Sequence, residues 1–400
     1  MTASIFAAVD MAPRDPILGL NEAYNADPRD QKVNLGVGVY YDDNGKLPLL
    51  AAVKAAEAAR LSQAPARGYQ PIEGPAAYNN AVQNLLFGAD SDLAAAGRLV
   101  TAQALGGTGA LKIGADFIKR LSPAAKIYIS DPSWENHRAL FEAAGFTVEN
   151  YPYYDPATRG VDFAAMKAAL LSYAPGSVIV LHACCHNPTG ADLTDAQWAE
   201  VVEACRERAL VPFLDMAYQG FADGIDADAV AVRAFAASGL QFFISSSFSK
   251  SFSLYGERVG ALTIITAGKD ESARVLSQLK RVIRTNYSNP PIHGGALVST
   301  VLASGELRAQ WEGELAGMRD RIRAMRSGLV DALKAQGVAQ DFGFVVHQRG
   351  MFSYTGLSAA QVERLKTEFG IYAVSTGRIC LAALNSKNLG YVAGAIAKVV

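Results

Sequence analysis

The chain has 400 residues, half of them apolar and 19% charged, which fits a globular protein of two or three structural units and excludes a disordered one. Its 37 Lys and Arg against 38 Asp and Glu leave a formal net charge of -1, so no footprint for nucleic acid or an anionic membrane is expected. No apolar run approaches the ~18–20 residues of a membrane span, the opening residues carry no basic leader, and four cysteines make no disulfide framework.

These observations point to a cytoplasmic protein with reduced thiols. No metal site is expected either: there is no CxxC pair, no HExxH and no GxxxxGK[ST]. Cys184, Cys185 and His186 are consecutive, and neighbours on a strand point to opposite faces, so they are not expected to share an ion.

The first 47 residues show little periodicity and are expected to pack against the C-terminal unit. From about 98 to 266 the pattern alternates strand, turn and helix. Candidate strands are Arg98–Ala104, Lys126–Ser130, Ser177–His182, Val211–Leu214, Phe242–Ser246 and Val259–Thr266, short and rich in Val, Ile and Phe. Thr194 and Gln197 spell a capping box that opens a helix running to about Arg208. Such alternation predicts an α/β unit with a mostly parallel sheet. A long helix is predicted from about Gly305 to Ala335. Short strands follow at Phe342–His347, Gly350–Tyr354 and Ile371–Val374, with a helix capped by Ser358 and Gln361 between them. This last part reads as a smaller α+β unit.

Open α/β sheets bind ligands beyond the carboxyl ends of their strands. The first strand delivers Gly106-Gly107-Thr108-Gly109 at a helix start, a set of free N–H groups suited to phosphate. The next ends deliver Trp134 with His137, then Asn187, then Asp215 with Tyr218, then Ser247, Ser249 and Lys250. Eight residues separate Lys250 from Val259, too few for a parallel crossover, so the strand at 259 must run antiparallel. That brings Arg258 to the same edge, where its fork suits a phosphate. A phosphate cradle, an aromatic surface, a buried acid and a desolvated lysine together meet the needs of pyridoxal 5'-phosphate. Its aldehyde needs an amine and its pyridine nitrogen a carboxylate.

Ser247-Phe248-Ser249-Lys250, Tyr255-Gly256-Glu257-Arg258, His186-Asn187-Pro188-Thr189-Gly190, Asp215-Met216-Ala217-Tyr218 and Asn286-Tyr287-Ser288-Asn289-Pro290 resemble the class I aminotransferases, and more narrowly the bacterial aspartate and aromatic-amino-acid aminotransferases. The likeness runs from Asp15 to the C-terminus. It implies the type I pyridoxal-phosphate transferase fold, with an N-terminal arm (1–15), a small domain (16–47 and 318–400) and a large domain (48–317). Lys250 would bind the cofactor aldehyde and move the proton. Asp215 would pair with the pyridine nitrogen, backed by His137 and His182. Asn187 and Tyr218 would bond the ring hydroxyl, and Trp134 would stack on the ring. Gly107, Thr108, Ser247, Ser249 and Arg258 would hold the phosphate, joined by Tyr69 from a second subunit. Arg378 would clamp the substrate α-carboxylate with help from Gly38, and Arg284 of the second subunit would face a distal carboxylate. A homodimer with shared sites and ping-pong transamination of amino and 2-oxo acids are therefore implied.

On substrate, Tyr40-Tyr41, Leu47, Ser251-Phe252-Ser253-Leu254-Tyr255, Phe352-Ser353-Tyr354-Thr355-Gly356 and Arg378-Ile379-Cys380 lean to the aromatic branch; Val39, Thr108 and Asn289 lean to the aspartate branch. Ala382-Ala383 departs from the family's usual Ala-Gly. Ile17, Leu18, Val37 and Leu47 are candidates for an apolar side-chain pocket. The expectation is dual specificity for Tyr and Phe and for Asp and Glu, with 2-oxoglutarate as acceptor; a strict aspartate aminotransferase is the alternative. A lyase or decarboxylase on the same cofactor would not need the pair Arg378 and Arg284. A nucleotide oxidoreductase would need the missing GxGxxG, and a non-catalytic scaffold would have no use for Lys250 and Asp215.

Overall fold

A computed structural model describes residues 4–400. Its centre is a seven-stranded sheet. In chain order the strands are β1 (Leu99–Leu105), β2 (Ile127–Asp131), β3 (Val148–Pro152), β4 (Val178–His182), β5 (Val211–Met216), β6 (Phe242–Ser247) and β7 (Val259–Ile265). They lie side by side as β1-β7-β6-β5-β4-β2-β3. Every pair is parallel except those made by β7, which is antiparallel to both β6 and β1. The short connection after Lys250 therefore has the consequence that chain length required: β7 turns straight back, and Arg258 lands beside the ends of β1 and β6.

The strands of the interior are buried on both faces, β4, β6 and β7 throughout, as a parallel sheet covered by helices demands. One covering helix, α1 (Gly106–Leu121), leaves β1 directly and buries Ala110, Leu111, Ile113 and Phe117 against the sheet. Another, α2 (Glu135–Ala143), starts after Trp134 and buries His137, Leu140 and Phe141. The box of Thr194 and Gln197 forms at the head of Asp195–Glu207, and that of Ser358 and Gln361 at the head of Ala359–Phe369. Each supplies a cap of about 1 kcal/mol.

The long helix α3 (Gly305–Ala335) runs as the sequence predicts, with Trp311, Leu315, Ile322 and Leu329 buried along one stripe. Val33–Asn34 pairs in parallel with Ile371–Tyr372, so the N-terminal segment is stitched to the last hundred residues. Phe352–Tyr354 pairs with Arg378–Cys380.

Three expectations need correction. Phe342–His347 is no strand: Phe344–His347 is a helical turn. Its buried positions, Phe342, Val345 and Gln348, recur every third residue, which is a helical period and not the alternation of a strand. The edge strand β3 escapes the reading because Glu149 and Asn150 dilute its apolar character. Cys184 and Cys185 do lie together: their thiols and the Asp228 carboxylate fall within 4.8 Å of one another. The strand has ended at His182 and Cys185 takes a left-handed φ of 52°, so strand alternation does not apply there. The Asp228 oxygens are already occupied by the N–H groups of Gly220, Ala222, Asp223 and Gly224.

Candidate active site

The carboxyl ends of the parallel strands open on a cavity of ≈250 Å³. At its floor, register places His182, Asp215 and Ser245 abreast on β4, β5 and β6. Asp215 is buried and accepts a hydrogen bond from His137 Nε2 at 2.9 Å. His137 is held in turn by Ser133 Oγ, 3.0 Å from Nδ1. Burial pushes the Asp215 carboxyl up, but the hydrogen bond and charge of His137, with contributions from His182 and Lys250, hold it below the ordinary value. Asp215 is thus an anion facing the cavity from below.

Lys250 enters from the end of β6. It lines the cavity, and its Nζ lies 4.8 Å from the centre of the Tyr218 ring. Burial brings its amine down to about 8; the Asp215 carboxylate works against this and the Arg258 guanidinium with it. An amine in that range is a usable nucleophile and base near neutral pH.

The phosphate cradle is built from backbone. Gly106 has a φ of 69°, and a Cβ there would stand 2.6 Å from Arg258 Nη2, so a side chain would be strained and would displace the Arg258 guanidinium. A Cβ on Gly107 would come within 3.1 Å of Ser247 Cβ. Gly107 and Thr108 at the head of α1 line the cavity together with Ser247, Ser249 and Arg258, and Arg258 Nη1 donates to Ser249 Oγ at 3.1 Å. This is a concave set of N–H, hydroxyl and guanidinium donors that fits a phosphate ester.

Arg378 forms the opposite wall. It is 2% exposed, donates from Nη1 to Asn187 Oδ1 at 3.0 Å and from Nη2 to Gly36 O at 2.7 Å, and stacks 4.5 Å above the Phe352 ring. Its Nε has no partner, and neither do the two ring nitrogens of His182, which lines the same cavity. Buried polar atoms without partners are costly, and here they border the cavity. Gly38 is needed where it is: a Cβ would meet Phe352 Cζ at 2.6 Å.

The cavity wall thus gathers Gly38, Gly107, Thr108, Trp134, Asn187, Asp215, Tyr218, Ser247, Ser249, Lys250, Arg258 and Arg378. His137 stands behind Asp215. Tyr69 and Arg284 do not line this cavity; Tyr69 is 96% exposed and Arg284 is also exposed. Of the apolar candidates Ile17 lines the cavity, whereas Leu18, Val37 and Leu47 do not. Cys380 is buried behind the wall, its thiol 3.7 Å from Val39 O. Leu111, Ala217, Tyr255 and Phe352 also line the cavity without a chemical role assigned from sequence. Tyr255 accepts the Tyr40 N–H at 2.9 Å through its hydroxyl, and Phe352 carries Arg378. Both sit inside motifs the sequence displays, but nothing local marks a Tyr or Phe as wall and not core.

The family model for aminotransferase class I and II matches residues 30–396. An aspartate aminotransferase of Pseudomonas aeruginosa is 66% identical over 397 residues, covering 99% of this chain and 100% of that one. The aromatic-amino-acid aminotransferase of Escherichia coli is 50% identical over 398 residues, with 99% and 100% covered. Among solved structures, an aromatic-amino-acid aminotransferase of Burkholderia pseudomallei, covalently bound to pyridoxal phosphate, superposes with a TM-score of 0.97 at 70% identity over 99% of this chain and 100% of its own. A match spanning nearly the whole chain, on a fold whose strand ends converge as described, makes the chain a member of the class I and II aminotransferases.

Proposed function

We propose that the chain is a pyridoxal 5'-phosphate aminotransferase that moves the amino group of Tyr and Phe, and of Asp and Glu, to 2-oxoglutarate by a ping-pong cycle. The observation that carries this reading is one cavity holding a lysine amine depressed to about 8, a buried carboxylate and a buried arginine.

When bound, the cofactor supplies an electron sink for the pair of electrons left at the substrate Cα. The chain's residues do the rest. Gly107, Thr108, Ser247, Ser249 and Arg258 anchor the phosphate, and Trp134 covers the ring. Asp215, kept anionic by His137, holds the proton on the pyridine nitrogen. Asn187 and Tyr218 face the ring hydroxyl. Arg378, with Gly38 beside it, fixes the α-carboxylate, so the Cα–H bond is presented to Lys250. The Lys250 amine would take that proton as general base and, as general acid, deliver it to the carbon that was the cofactor's aldehyde.

The proposal includes a homodimer in which Tyr69 and Arg284, both exposed and neither lining this chain's own cavity, complete the partner's site. It also includes a cytoplasmic location and the division into an arm (1–15), a small domain (16–47 and 318–400) and a large domain (48–317). The pairing of Val33–Asn34 with Ile371–Tyr372 supports that division, and no described helix is long and apolar enough to cross a membrane. The dual specificity rests on a mixed set of residues: Cys380 and Phe352 with the aromatic relatives, Val39 and Asn289 with the aspartate ones. A panel of amino donors against 2-oxoglutarate tests it. Turnover of both Phe and Asp is expected; turnover of Asp alone would establish the strict aspartate enzyme instead.

A further inference from the structure

A second cavity, of ≈310 Å³, lies between α3, the loop at 221–223 and the segment 346–350, and shares no wall residue with the first. Four arginines line it (Arg319, Arg323, Arg326 and Arg349) against one lining carboxylate, that of Asp223, and a second carboxylate, that of Asp320 on α3, stands 3.9 Å from Arg323 Nη1. Asp223 pairs with both Arg323 and Arg349. Arg319 and Arg326 take part in no ion pair among the described residues. Arg326 is buried and spends its Nη groups on the carbonyls of Val345, Gly350 and Phe352, at 3.0, 2.7 and 2.6 Å. Those carbonyls solvate its charge but do not neutralise it.

Two donors on this wall are also unsatisfied. Arg319 gives one Nη to Gly220 O at 2.9 Å, yet its buried Nε has no acceptor. Gln348 is 5% exposed; its Oε1 accepts from Ser353 Oγ at 2.6 Å, and its Nε2 has no acceptor. Few buried side-chain polar atoms among the described residues lack a partner, and Arg378 Nε and the His182 ring at the active-site cavity are among them.

Excess positive charge in a concave, partly desolvated space, bordered by donors without acceptors, is the chemistry of an oxyanion site. We infer that the cavity between α3 and residues 346–350 binds a compact oxyanion of two or more negative charges, a phosphate or a polycarboxylate, on Arg319, Arg323 and the Gln348 amide. This site stands apart from the transamination chemistry. Its inner wall is nonetheless the segment that continues to Phe352, on which Arg378 is stacked.

The test is isothermal titration of the cofactor-loaded enzyme with inorganic phosphate and, separately, citrate, at ionic strength fixed with chloride. Saturable binding is expected for at least one of them, and the two arms tell the sources apart. The double variant Arg319→Gln, Arg323→Gln should weaken that binding about tenfold or more, as loss of even one charge-assisted hydrogen bond predicts. Its transaminase rate should stay within about twofold, since neither residue touches the active-site cavity. If the double variant fails to fold, Arg319→Lys, which keeps the charge and loses the fork, should still weaken binding severalfold. Equal binding by wild type and variant would place the anion elsewhere and overturn the inference. So would the absence of saturable binding of either anion.

Discussion

Replacing Arg378 by Lys keeps a positive charge and removes the fork. In the structure Nη1 reaches Asn187 Oδ1 at 3.0 Å while Nη2 reaches Gly36 O at 2.7 Å, and the plane rests on Phe352. A single ammonium cannot serve both acceptors and still present a planar pair of N–H groups to a carboxylate. At 2% exposure water does not stand in for what is lost. Each charge-assisted hydrogen bond removed costs about 1.5–3 kcal/mol. Two such losses amount to roughly 3–6 kcal/mol of transition-state stabilisation, or about two to four powers of ten in kcat/KM. The assay is steady-state kinetics with Phe and with Asp as amino donor. Because both carry the same α-carboxylate, both should fall by the same factor. A fall below tenfold, or one confined to Asp, would refute the placement of Arg378 on the α-carboxylate.

Arg284→Leu should do the opposite and mainly damage turnover of Asp and Glu; an equal loss of kcat/KM for Phe and Asp would count against a distal-carboxylate role. The apoprotein should take up pyridoxal phosphate with a rate that rises through about pH 8, where the Lys250 amine loses its proton, and not near the ordinary 10.5. The same depression means that the unfolded chain holds more protons on this lysine between about pH 8 and 10.5, so its contribution to stability grows as pH rises through that window. Thermal denaturation of the apoprotein and of Lys250→Met, compared across that range, checks the sign. Gly106→Ala should weaken cofactor binding by tenfold or more, because φ is 69° and the new Cβ would displace the Arg258 guanidinium; equilibrium dialysis with unchanged affinity would contradict the cradle.

Much of this site can be read from the chain because Gly107, Trp134, Asn187, Asp215 and Lys250 each stand at or just past the end of a strand with a plain apolar run. The eight residues between Lys250 and Val259 dictate an antiparallel β7 by geometry alone, and with it the position of Arg258. The glycines at 106 and 107 announce a close approach. What sequence does not disclose are contacts made across large separations by residues with good reasons to be ordinary core. Phe352 becomes a platform for Arg378 only because β-pairing sets Phe352–Tyr354 against Arg378–Cys380. Ser133 matters only through His137. The helical turn at Phe344–His347 is too short for periodicity to outvote its β-branched composition. The cluster of Arg319, Arg323 and Arg349 is drawn from a helix and a distant loop, and no linear spacing foretells it.

The central claim concerns the Lys250 nitrogen. Purified enzyme should absorb as a lysine-bound pyridoxal chromophore, and the band should vanish with borohydride. Peptide mass spectrometry after that reduction should then find a single pyridoxyl group, on Lys250. A label on another lysine, or none on a protein that still transaminates, would contradict the account.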